Sequence, residues 1–135
     1  MSAHVHREGC HVFRFVTFRW CVDQARELIE SDPDAARREP VEIEPLREFT
    51  SLGAPRPGHL KLIEVKVDAA HAATVDLTEP IVFAPIVSPE TGERMGGFLI
   101  DGWHRVYRAL SEGVPELPAY FLTDEASLAV LVPWE

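Results

Sequence analysis

Cysteine is scarce: Cys10 and Cys21 are the two in the chain, too few for the bridged framework that props up small secreted domains. That scarcity points to reduced thiols and a cytoplasmic protein. Long apolar runs are missing as well. No stretch approaches the roughly 20 residues that span a bilayer, and the first residues lack the apolar centre of a signal peptide, so no membrane is expected. Positive charge is in deficit, with 13 Lys and Arg against 22 Asp and Glu and a net charge of -9. A phosphate backbone demands a basic surface, which disfavours a dedicated nucleic-acid binder but leaves room for a local basic pocket. Internal repeats and low-complexity linkers are also lacking.

What is present suits one globular domain. The 135 residues are 46% hydrophobic, enough for a real core and too short for two comfortable domains. Val12 to Phe18, rich in aromatic and β-branched residues, reads as a strand. Val22, Ala25, Leu28 and Ile29 form the buried stripe of a helix over 22–30, with Asp23 in its first turn. Pro40 to Glu44 reads as a short one-sided strand, 45–52 as a helical turn, and Gly53 to Gly58 as a loop that either covers a site or merely connects. Leu60 to Val67 alternates as a strand, with Ile63, Val65 and Val67 inward. Asp68 caps a helix over 69–75. Ile81 to Val87 is an apolar strand, in which Pro85 marks an edge or bulge. Residues 88–94 make a hairpin turn, Leu117 to Leu122 a strand, and Asp124 caps a last helix with Ser127 outward.

The most informative stretch runs from Gly96 to Gly113. Phe98, Leu99 and Ile100 form a buried strand, and Asp101-Gly102 a tight turn where glycine permits a sharp change of direction. Trp103, Val106, Tyr107 and Leu110 then fall on one helical face, and Gly113 with Pro115 closes the helix. His104 and Arg105 lie in its first turn with Arg108 one turn on. Free backbone N–H groups and the positive end of the helix dipole point out at that corner, so phosphate is the ligand it suits. The alternative is a solvated face on which Arg108 pairs with Glu112, worth a few tenths of a kcal/mol.

The segment from about Pro80 to Thr123 resembles the ParB/sulfiredoxin fold. The matching residues are Pro80-Ile81-Val82, the turn Leu99-Ile100-Asp101-Gly102-Trp103-His104-Arg105, and the strand Leu117-Pro118-Ala119-Tyr120-Phe121. The resemblance implies an α/β (α+β) fold: a single domain with a mixed sheet and flanking helices, residues 59–135 forming the ParB/sulfiredoxin-like core and 1–58 an N-terminal strand–helix extension and loop. Sulfiredoxins carry their catalytic cysteine where this chain has Trp103, and an indole is no thiolate nucleophile. ParB proteins hold the triphosphate of CTP with two arginines at this turn; here Arg105 keeps that role and His104 stands in the other place. No room remains for the ParB helix-turn-helix portion. The free serine kinases of the same fold are more similar at the turn, where a carboxylate activates a hydroxyl and a His-Arg pair grips nucleotide phosphates.

These features lead to the expectation of a nucleotide-binding protein. Gly102, Trp103, His104, Arg105 and Arg108 would bind ATP, ADP or CTP. Asp101 and His104 would be the catalytic groups, with Asp101 also holding Mg²⁺, the reaction being phosphoryl transfer to a small hydroxyl-bearing substrate or nucleotide hydrolysis. Asp101 has an equally good structural role, accepting N–H bonds of its own turn. Trp103 fits a core residue better than a base-stacking platform. Glu42, Glu44 and Glu64 are candidates for a second carboxylate. At the start of the chain His4, His6, Cys10 and His11 could ligate zinc, although their spacing matches no closed motif. The competing class is a non-catalytic nucleotide-sensing or protein-interaction module, for which the acidic surface is as well suited. A ParB-like nuclease is disfavoured by the charge balance and by the want of a metal-carboxylate cluster.

Overall fold

The computed structural model describes residues 10–54, 57–61 and 63–132. It has helices and strands in α/β combination: a two-stranded sheet, and a four-stranded mixed sheet of order β3 (Ala36–Glu42), β6 (Glu116–Leu122), β4 (Ile81–Val87), β5 (Arg94–Asp101). The chain divides into two compact units, Met1–Glu39 with Val82–Asp101 and Tyr120–Glu135, and Pro40–Ile81 with Gly102–Ala119.

In the first unit the expected strand over 12–18 is a hairpin, β1 (Val12–Phe15) and β2 (Phe18–Cys21), paired antiparallel with Phe15 opposite Phe18. Its turn places Val16 at φ 54, a left-handed conformation uncommon for a β-branched residue. Helix α1 (Val22–Ser31) follows at once. β4 (Ile81–Val87) and β5 (Arg94–Asp101) pair antiparallel, with register shifts on either side of the Phe83–Pro85 segment. The irregularity accommodates Pro85, which has no N–H to give to the ladder. Trp20, Val82, Ala84, Ile100, Leu122 and Ala126 form the core.

Helix α4 (Asp124–Ala129) is capped by Thr123, whose hydroxyl accepts the Ala126 N–H at 3.1 Å. The expected cap, Asp124, pairs with Arg94 instead. Ser127, expected outward, is buried between two polar partners. β3 (Ala36–Glu42) begins four residues ahead of the expected Pro40. Arg37 and Arg38 lie over the rings of Phe121 and Tyr120 in β6 (Glu116–Leu122), contacts no local periodicity encodes.

The second unit holds a 3-10 helix (Glu44–Phe49), α2 (Ala69–Ala72) and α3 (Trp103–Glu112). Ile43, Ile81, Trp103, Val106, Ala109, Leu110 and Leu117 are buried here. The strand expected over 60–67 is absent among its described residues; Leu62 lies outside them. Ile63, Val65 and Val67 are half-buried while Glu64 and Lys66 are exposed, so the alternation of burial is real. What is missing is a ladder: Val65 N–H bonds the Phe49 carbonyl at 2.7 Å, and Lys61 Nζ reaches the Thr50 carbonyl at 2.8 Å. The segment is an extended strap over the 3-10 helix. Helix α2 stops at Ala72, short of the expected Val75, and Asp68 caps it, accepting from the Ala70 and His71 N–H groups.

Candidate functional site

The strand–turn–helix corner forms where the sequence places it. In the first unit Asp101 ends β5 opposite Val82. Its carboxylate accepts from Arg26 Nε of α1 at 2.6 Å, both side chains being about three-quarters buried. A proton acceptor or Mg²⁺ ligand in that position carries a cationic partner already.

In the second unit Gly102 is the N-cap of α3 at φ 112. A Cβ there would stand 2.4 Å from Ile81 Cγ2 and 2.7 Å from Ile81 Cβ, so the turn needs glycine both for its dihedral and for the close approach. Trp103 is buried and meets Phe49 edge-on at 6.4 Å, a core position as its helical spacing indicated. His104 is half-buried; its Nε2 accepts the Asp68 N–H at 3.4 Å, and its ring meets His71 edge-on at 4.7 Å. An Nε2 in that role carries a lone pair, which places the proton of the neutral ring on Nδ1.

The two arginines face the chain that leads into β4. Arg105 donates to the Pro80 carbonyl at 3.5 Å and to Glu79 Oε2 at 3.3 Å, with 14% of its side chain exposed. Both bonds are long for a guanidinium, and its buried Nε has no hydrogen-bond partner. Arg108 is better satisfied: Nε meets Glu112 at 2.7 Å, the expected i, i+4 pair, and a second nitrogen donates to the Val75 carbonyl. Asp76 accepts from the Thr78 N–H at 2.9 Å and its hydroxyl at 2.6 Å. Those bonds, and then the charges of Arg105 and Arg108, hold its carboxyl below the ordinary aspartate range.

The structure thus gathers His104, Arg105 and Arg108 against residues 68–80. Asp68, His71, Asp76 and Glu79 belong to that neighbourhood and were not legible as site residues, because 26 or more positions separate each from the α3 side chain it faces. The one local signal was the Asp68 cap. Of the candidate second carboxylates, Glu44 pairs with Arg47 at 2.7 Å and Glu64 with Lys61 at 2.9 Å. The Arg47 hydrogen bond holds the Glu44 carboxyl below its usual range. Glu42 lines a groove of about 270 Å³ together with Glu44, Arg47, Leu110, Val114 and Glu116.

His4 and His6 lie outside the described residues. Cys10 and Cys21 are joined as a disulfide, with Cα atoms 6.2 Å apart, which corrects the expectation of reduced thiols. Two cysteines make no framework, but two that meet across a hairpin end make one bridge. His11 pairs with Asp23 at 3.3 Å. Among the described residues no group of three or more His, Cys, Asp or Glu could hold a metal ion, and no helix is long and apolar enough to cross a membrane.

No family model matches the chain, and neither the curated proteins nor the solved structures hold a match.

Proposed function

We propose that the chain binds a nucleotide through its phosphates at the start of α3. The observation that carries this reading is the state of Arg105: a guanidinium in the first turn, with two long bonds and an unpartnered Nε, beside His104 and the helix N-terminus. An oxyanion that displaced Glu79 would give Arg105 shorter, charge-assisted bonds, aided by the helix dipole. ATP, ADP and CTP, each with Mg²⁺, are the ligands to try. In the enzymatic form of the reading, phosphoryl transfer to a small hydroxyl compound or nucleotide hydrolysis, Asp101 would have to leave Arg26 before it could accept a proton or hold the metal.

That requirement favours a second reading, a non-catalytic nucleotide-sensing or protein-interaction module in which the Arg26–Asp101 pair stays closed. Thermal unfolding of the wild type, His104→Ala and Arg105→Lys with each nucleotide separates the outcomes. A ligand that binds the folded state raises the midpoint by linkage. The expected result is a nucleotide-dependent rise in the wild type that shrinks in both variants. Equal rises in all three proteins, or none in the wild type, overturn the assignment. Consumption of the bound nucleotide marks the enzyme; binding without turnover marks the module.

A further inference from the structure

We infer that the Cys10–Cys21 disulfide is a redox-released clasp that fastens residues 10–11, just ahead of β1, across the start of α1. Four contacts converge there. The disulfide joins Cys10 to Cys21, the residue that precedes α1. The Val22 N–H donates to the His11 carbonyl at 2.8 Å, the His11 N–H donates to Asp23 Oδ2 at 2.9 Å, and the His11 ring Nδ1 lies 3.3 Å from Asp23 Oδ1. These polar contacts sit at the end of a hairpin of two four-residue strands, with the His11–Asp23 contacts in solvent, and bonds so placed open readily. The covalent link is the one that does not fray.

The two sulfurs are unequally placed. Cys21 is fully buried, whereas Cys10 is partly exposed. A dithiol reductant therefore attacks from the Cys10 side. Its thiolate bonds Cys10 Sγ, and Cys21 Sγ leaves with the electron pair and takes a proton, since a buried thiolate is disfavoured. The second thiol of the reductant then attacks its own sulfur in the mixed disulfide. Cys10 is released as a thiol and the reductant departs as a disulfide, two electrons and two protons having passed to the protein. What remains across the start of α1 is the set of polar contacts made by the exposed His11, and residues 10–11 come away. The buried Cys21 thiol stays shielded while the clasp is open.

The test uses the whole chain, purified without reductant. Amide exchange at Val22 and His11 is followed in the oxidised protein, in protein reduced with dithiothreitol, and in Cys10→Ser. The expected result is exchange about tenfold or more faster in both open forms, and a melting midpoint lower by roughly 10 °C, the order expected for opening a loop of this length. Equilibration with excess reduced glutathione, acid quenching, and then alkylation in denaturant with mass measurement should find both thiols free. A disulfide still intact under those conditions makes the bridge permanent and overturns the proposal. So does unchanged exchange on reduction, or two free thiols in the protein purified without reductant. If Cys10→Ser fails to fold, the reduced wild type carries the same comparison.

Discussion

Trp20 Nε1 donates to Ser127 Oγ at 3.0 Å, 107 residues away in the chain and fully inside the first unit. Ser127 passes the bond on, its hydroxyl donating to the Pro85 carbonyl at 2.7 Å. One small side chain thus satisfies an indole N–H from β2 and a carbonyl from the irregular part of β4. Ser127→Ala removes both bonds, at about 1–3 kcal/mol for each buried group left without a partner. The expected outcome is a loss of about 2–4 kcal/mol in urea unfolding with the slope unchanged. Ser127→Cys, which keeps a weak donor and acceptor, should recover part of it. A loss under 1 kcal/mol for Ser127→Ala would mean that water replaces the hydroxyl.

Gly102 ties the candidate site to stability. Gly102→Ala combines an unfavourable dihedral with a Cβ driven against Ile81, whose side chain is fully buried. Backbone strain of order 1–3 kcal/mol adds to overpacking of similar size, so a loss of about 3 kcal/mol or more is expected. Ile81→Ala in the same chain would relieve the clash and leave the strain. Chemical denaturation of the single and double variants checks this: the double variant should unfold at higher denaturant than the sum of the two single losses predicts. Strict additivity would show that the contact is not tight.

Asp76 gives the acid limb of the stability curve a definite sign. Its folded carboxyl titrates below the ordinary value of 3.8, first because of the Thr78 bonds. The stabilisation is fully present above the unfolded value and is lost as pH falls through the lower folded value. Asp76→Asn removes this titration. The difference in melting midpoint between wild type and variant should be largest above about pH 5 and shrink steadily below about pH 4. A difference that stays constant down to pH 2.5 would show that the carboxylate is not held in this way.

Local pattern proved a good guide wherever one helix or one strand could satisfy itself. The Trp103–Leu110 stripe, the Gly102 turn, the Gly113 stop and the Asp68 cap all lie where residue spacing and backbone chemistry put them. Pattern misled where a partner decided the outcome. Residues 63–67 alternate like a strand, yet their backbone found the 3-10 helix and no ladder. Ser127 looks like a surface serine until Trp20 and Pro85 close on it.

Composition and spacing by themselves determined an acidic α/β protein with a strand, a glycine turn and a helix that opens on His104 and Arg105, because those features depend on neighbours within a few residues. Tertiary structure alone decided what these groups do at rest. Arg26 takes Asp101, Glu79 and Pro80 hold Arg105, Asp68 donates to His104, and Cys10 reaches Cys21. Each of these groups meets a residue from another element, and such pairings are set by how the elements pack.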